Sequence, residues 1–257
     1  PNRLPKERIV AFLPGSPDLS YSVDELERHF ADKDIEALLL VNPDNPSGHF
    51  IPPADVLRLA KWCEARKIRL IADESFVDFS DDYAANTLLK DEILDANPNL
   101  IVMKSISKSF GVPGLRLGIM ASADTNLIAR AKKDVAIWNI NSFAEFFMQI
   151  FTKYEDEYLK ACDKFIAERN DFEQKLREIS FLRVMPSQAN YFLCEILPPY
   201  NANALVLKML KQYNILTRDC STKGGFDGKQ YMRIAVRSHA DNARLIAAYK
   251  EIENENK

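Results

Sequence analysis

Glycine is scarce in this sequence, with 8 in 257 residues, and no Gly-x-Gly-x-x-Gly or Walker run occurs among them. Nucleotide sites that need such runs to bring backbone against phosphates are therefore not expected. Cysteine is equally sparse: the 4 thiols, Cys63, Cys162, Cys194 and Cys220, show no C-x-x-C spacing. A zinc site and a disulfide framework are both disfavoured, and reduced thiols in a cytoplasmic protein are the expectation. The 3 histidines, His29, His49 and His239, have no partners at metal or triad spacing and read as solvated or capping residues. No sign of charge dominates. Lys and Arg number 34 against 37 Asp and Glu, a net charge of -3 without a basic stripe, so no nucleic-acid partner is expected. Apolar runs such as Ala37 to Val41 and Phe143 to Phe151 are too short to span a membrane. The start, Pro1-Asn2-Arg3, is too polar for a signal peptide and lacks an initiator methionine, which predicts an N-terminally incomplete chain.

What is present is ample apolar content, 47%, enough for a substantial core. Short apolar runs at Arg8 to Leu13, Glu36 to Val41, Ile68 to Ala72, Leu100 to Met103 and Leu115 to Met120 read as strands. Helical patterns lie between them. Ser22 with Glu25 three residues on is a capping box for a helix to Phe30, and a second helix, Ala54 to Arg66, follows Pro52-Pro53. This alternation predicts an α/β fold with a mostly parallel sheet. Beyond about residue 140 the pattern changes. Phe143 to Arg177 is strongly helical, with Tyr158, Cys162, Phe165, Phe172 and Leu176 on one face as core. Strands near Phe181 to Val184, Tyr191 to Ile196, Ile215 to Arg218 and Gln230 to Val236 follow. A helix lies at Ala202 to Gln212, and another begins near Ser238. We expect residues 1–150 to form part of a large α/β domain, and residues 151–257 a connecting helix and a small C-terminal α+β domain.

Three segments, each directly after a buried strand, carry chemistry. They are Asn42-Pro43-Asp44-Asn45-Pro46-Ser47-Gly48, then Asp73-Glu74-Ser75-Phe76, then Lys104-Ser105-Ile106-Ser107-Lys108 with Arg116 eight residues on. Each alone is ordinary loop chemistry. But the carboxyl ends of parallel strands are where α/β proteins bind ligands, and hydroxyls with an arginine suit a phosphate.

Taken in order, these segments resemble the fold-type-I pyridoxal-phosphate enzymes, in particular class I/II aminotransferases of the histidinol-phosphate aminotransferase kind. The resemblance implies the aspartate-aminotransferase fold and pyridoxal 5'-phosphate as cofactor. It makes Lys108 the Schiff-base lysine and proton carrier, and Asp73 the partner of the ring nitrogen. Asn45 becomes the donor to the ring's phenolate oxygen, and Ser105, Ser107 and Arg116 the phosphate ligands. Lys104 is the rival for the lysine and is set aside because it precedes the Ser-x-Ser. Tyr231-Met232-Arg233-Ile234-Ala235-Val236-Arg237 resembles the family's late strand, making Arg233 the clamp for the substrate carboxylate. Arg237, of the same strand parity, is expected to meet a second anionic group, and Arg218 is a weaker candidate. Trp62 and Trp138 are expected in core or interface.

The implied activity is amino-group transfer between an amino acid and a 2-oxo acid. The full-length protein would act on a small amino-acid substrate as a homodimer. Phe76 occupies a place where many aminotransferases have tyrosine, and with the Arg-Ile-Ala-Val-Arg strand it also looks like the threonine-phosphate decarboxylase branch. Decarboxylation of a phosphorylated amino acid is thus a second reading; carbon dioxide release would distinguish it from keto-acid formation. The resemblance covers nearly all of this chain but about the last two-thirds of a typical member. A third reading follows, a truncated fragment without catalysis, marked by failure to bind cofactor.

Overall fold

The computed structural model describes residues 5, 8–226 and 228–255. Helix α1, Val23–Phe30, starts at the expected capping box: the Ser22 side chain accepts from the Glu25 amide, and the Glu25 carboxylate accepts from the Ser22 amide. This satisfies two helix-end donors reciprocally. Strand β1, Ala37–Val41, leads to helix α2, Pro53–Ala65, and strand β2, Arg69–Asp73. Short helices α3, Tyr83–Asn86, and α4, Asp91–Asp95, precede strand β3, Leu100–Ser105. Helix α5, Ile106–Ser109, and strand β4, Gly118–Ala121, complete the first sheet. Its order is β1-β2-β3-β4, with β1, β2 and β3 parallel and β4 antiparallel to β3. Leu38, Leu40, Leu70, Ala72, Leu100 and Val102 share one face and pack against Leu59, Ala60 and Cys63 of α2.

Helix α6, Thr125–Asp134, and helix α7, Ser142–Phe151, lead to the long helix α8, Glu155–Arg177. The second sheet is wholly antiparallel. It has strands β5, Leu182–Val184, β6, Tyr191–Ile196, β7, Arg218–Asp219, and β8, Tyr231–Ala235, in the order β5-β6-β8-β7. Helices α9, Ala202–Tyr213, and α10, His239–Asn254, cover it together with the second half of α8. Phe172, Phe192, Met232 and Tyr249, each fully buried, form the centre of that core.

Four expectations need correction. Of the expected strand Arg8 to Leu13, Arg8 closes a turn onto the Pro5 carbonyl and Ile9 to Leu13 is irregular chain, because no strand among the described residues takes up its backbone groups. The run from Leu115 begins as a 3-10 turn, Pro113–Leu115, and Arg116 takes a left-handed conformation, so β4 starts only at Gly118. The helical stretch 143–177 is broken by a 3-10 turn at Thr152–Tyr154. The face from Tyr158 to Leu176 is divided: Phe172 and Leu176 enter the second core, whereas Tyr158 reaches Asp78 beside the first sheet. No helix among the described residues is long and apolar enough to cross a membrane.

Candidate active site

The three loops gather at the carboxyl ends of β1, β2 and β3. In the first, the Asp44 carboxylate accepts from the Ser47 amide and hydroxyl, closing the turn. Asn42 has a purely structural task. Its side chain donates to the Ile51 carbonyl and accepts from the Ile51 amide, both at 2.8 Å, imitating a strand pair. Gly48 has φ of 78°, and a Cβ there would lie 2.0 Å from the Ser187 hydroxyl. Glycine alone permits this approach of the first loop to the chain before β6.

Asp73 ends β2. Its Oδ1 accepts from the Ser75 amide, at 2.9 Å, and from the Ser75 hydroxyl, while Ser75 Oγ accepts from the Ser105 amide at 3.0 Å. The second and third loops are thereby chained through one hydroxyl. Glu74, although next to Asp73, is turned away and buried, bonded to the Leu88 amide and the Thr87 hydroxyl.

Two lysines compete in the third loop, and their surroundings separate them. Lys104 is committed: its ammonium donates to Asp78 Oδ1 at 2.6 Å, with both side chains nearly buried, and Tyr158 donates to Asp78 Oδ2 at 2.8 Å. Lys108, on α5, lies instead with Nζ 4.0 Å from the centroid of the Phe76 ring. Partial burial lowers its pKa below the usual lysine value; Asp73 opposes that shift and Arg233 adds to it. The charges of both Asp73 and Arg233 are thus felt at Lys108.

Arg233 reaches the site from the second sheet. Its guanidinium donates to Asn45 Oδ1 at 2.8 Å and lies 4.9 Å over the Tyr191 ring. Tyr191 donates to the Asp44 carbonyl at 2.7 Å and packs edge-on against Phe76. Sequence reasoning passed over Tyr191 because, in a strand with residues buried on both faces, an aromatic looks like core.

The structure therefore brings together Asn45, Asp73, Lys108 and Arg233. Ser105, Ser107 and Arg116 lie on the same third loop. The Ser107 hydroxyl makes a long bond, 3.4 Å, to the Leu117 carbonyl. Arg116 is exposed, with one donor on the Pro113 carbonyl at 3.3 Å. Arg237 is not brought in. It lies past the end of β8, 70% exposed, and pairs with Asp241 of α10, so strand parity with Arg233 no longer governs it. Arg218 instead is the direct cross-strand partner of Arg233 and projects from the same face. Of the histidines, His49 shares a 2.7 Å bond with the Tyr21 carbonyl, and His29 is wedged among Phe12 and Phe30 rather than solvated. Trp138 is 91% exposed, whereas Trp62 packs against the first core.

The family model described as aminotransferase class I and II matches residues 10–248. The chain belongs to that family. Among its relatives, the CMP-5'-(3-aminopropyl)phosphonate synthase of Streptomyces rubellomurinus is 32% identical over 96% of this chain and 38% of its own. The L-serine phosphate decarboxylase of Sulfurospirillum multivorans is 31% identical over 93% of this chain and 61% of its own. In structure, the histidinol-phosphate aminotransferase from Clostridium acetobutylicum superposes with a TM-score of 0.82 at 26% identity, covering 95% of this chain and 71% of that one. The chain thus spans less than two thirds of either relative's length.

Pyridoxal phosphate is the cofactor of this family, and the residues present fit it. The fit rests on donor chemistry: a lysine free of the ion pair that holds Lys104, a carboxylate fixed through one oxygen at a strand end, and a loop offering two hydroxyls and an exposed guanidinium.

Proposed function

We propose that this chain carries the cofactor lysine and substrate clamp of a pyridoxal-phosphate enzyme that decarboxylates a phosphorylated α-amino acid. The observation that carries the choice of substrate is the pairing of Arg218 with Arg233. Two arginines directly opposed on one face repel each other, a cost that an anionic ligand offsets. A substrate with a carboxylate and a phosphate supplies both anions. The phosphoserine decarboxylase relative supports the same reading. When bound, the cofactor supplies an electron sink conjugated to the substrate's α-carbon. In this proposal Asp73 would keep a proton on the cofactor's ring nitrogen, Asn45 would donate to its phenolate oxygen, and Ser105, Ser107 and Arg116 would hold its phosphate. Lys108 would hold the cofactor and would supply the proton that replaces the departing carboxylate at the α-carbon. Arg233 orients the carboxylate, and Arg218 takes the second anion in place of Arg237.

Amino-group transfer is the second reading, favoured by the likeness to the histidinol-phosphate aminotransferase. The two share an electron sink and differ in which bond at the α-carbon is aligned with it. Adding pyridoxal phosphate to the chain and to Lys108→Ala, then O-phosphoserine, tests the proposal. A visible band lost in the variant, followed by carbon dioxide release, is expected. Keto-acid product with an aminated cofactor would establish transfer instead, and equal bands in both chains would remove Lys108 from its role.

We further propose that residues 1–150 and 151–257 act as two domains, joined by the shared cluster of Phe76, Phe79, Ala189 and Tyr191, in a cytoplasmic homodimer. The four buried free thiols support the compartment, and the exposed Ile137, Trp138, Phe143 and Phe146 support association. Sedimentation of the full-length protein tests the dimer, and a monomer at micromolar concentration would refute it.

A further inference from the structure

Four side chains from both halves of the molecule form a continuous row. The Lys108 ammonium lies 4.0 Å from the Phe76 ring centroid. The Phe76 and Tyr191 rings are 5.2 Å apart at 84°, edge to face, and the Arg233 guanidinium lies 4.9 Å over Tyr191. Two cations are thus separated by two aromatic rings. A ring's face is negative and its edge positive, so a cation is attracted to a face, and the edge-on contact lets each ring keep a face for its own cation. Phe76 is 4% exposed and Tyr191 3%, held by Phe79, Ala189 and Phe165, so neither ring is free to turn away. The Tyr191 hydroxyl is anchored on the Asp44 carbonyl, and Arg233 on Asn45.

We propose that Phe76 is a positioning residue for Lys108, its π face docking the lysine's side-chain nitrogen whenever that nitrogen is a free ammonium. Tyr191 extends the same platform to Arg233 and holds the two cations at a fixed separation. This rests on the reading of Lys108 as the cofactor lysine. It gives phenylalanine a task at a place where a tyrosine hydroxyl is absent. The released lysine returns to one position rather than wandering into solvent, toward which α5 leaves it open. The charged groups facing Lys108 are Asp73 from β2, which favours its ammonium, and Arg233 from β8, which disfavours it. A π face adds to the side of Asp73, so weakening it lowers the lysine's pKa.

The test replaces Phe76 with 4-fluoro-, 3,5-difluoro- and pentafluorophenylalanine, which keep the ring's outline while progressively removing its negative face. Phe76→Leu serves as a cruder comparison, since loss of ring volume threatens the fold. The chain is reductively methylated with carbon-13 and the Lys108 resonance, assigned with Lys108→Arg, is titrated without cofactor. The expected result is a stepwise fall in the Lys108 pKa, reaching about half a unit to one and a half units for the pentafluoro ring. A pKa that is unchanged or rises along the series overturns the proposal, leaving Phe76 as filler. Pyridoxal phosphate is then added to the unmodified chain. A visible band with a flat pKa series sinks the platform and keeps the cofactor reading; a graded series without a band keeps the platform and sinks the cofactor reading.

Discussion

Removing Asp78 should unsettle this molecule more than any exposed charge. Lys104 and Asp78 meet at 2.6 Å, with side chains only 12% and 8% exposed. At an effective dielectric constant of about 20, such a pair attracts by roughly 6 kcal/mol. Desolvation consumes much of that, so the intact pair contributes little net stability. The variants behave differently. Asp78→Asn keeps the shape but leaves a buried ammonium uncompensated, and we expect it to cost about 3–5 kcal/mol. Against a typical total of about 5–15 kcal/mol this is severe. Lys104→Met should cost about the same, by leaving the buried carboxylate with the Tyr158 hydroxyl but no compensating charge. The double variant Asp78→Asn with Lys104→Met leaves neither charge, so it should be less destabilised than the sum of the singles by about 2 kcal/mol or more. Tyr158→Phe, which deletes the hydroxyl bond to Asp78 Oδ2, should cost about 1.5–3 kcal/mol because the acceptor is charged. Urea unfolding followed by tryptophan fluorescence and circular dichroism measures all four. Single variants within about 0.5 kcal/mol of wild type, or strictly additive effects, would refute this account of the pair.

Gly48→Ala combines a φ of 78° with a Cβ 2.0 Å from Ser187 Oγ, and should cost about 2 kcal/mol or more in thermal unfolding; a loss under about 0.5 kcal/mol would contradict the close approach. Arg169 is 1% exposed and donates to the Phe79 carbonyl and to Asp81. Arg169→Met should cost about 2–3 kcal/mol, nearer the lower end because the half-exposed Asp81 keeps its bond from Gln188. Phe172→Ala, at 0% exposure in the second core, should cost about 3–5 kcal/mol, and less than about 1 kcal/mol would deny its place there. Burial pushes the Cys63 thiol up from 9.0 to about 12, and raises Tyr158, Tyr191 and Tyr249 as well. The folded state thus holds protons that the unfolded chain gives up, so stability is full below about pH 9 and declines as pH rises toward 12. A urea midpoint equal at pH 8 and pH 10.5 would run against this.

Much of the fold was legible because local signals agree with it. Ser22 and Glu25 announce α1, Pro52-Pro53 the start of α2, and the apolar runs of β1, β2 and β3 read as strands buried on a sheet. The failures share a cause: they depend on partners far away in sequence. Ile9 to Leu13 has a strand's composition but no strand beside it. Leu115 is apolar, yet the chain must first turn through Pro113 and a left-handed Arg116. Arg237 matched Arg233 in parity only as long as β8 continued, and α10 begins too soon for that. Arg218 gains its meaning from register, Lys104 loses its candidacy to Asp78, and Tyr191 becomes a site residue by facing Phe76. None of those pairings leaves a mark within either segment alone.

The bond between Asn45 and Arg233 joins residues 188 positions apart. Closing so long a loop carries an entropic cost that local helices and hairpins do not incur, so this contact belongs among the late events of folding. The contact is consequently a reporter of completion. A chain with only one half folded presents Lys108 without Arg233, or Arg233 without Lys108, and a ligand that bridges them draws its binding energy only from molecules folded throughout. Such a ligand stabilises the whole molecule against unfolding rather than a single element.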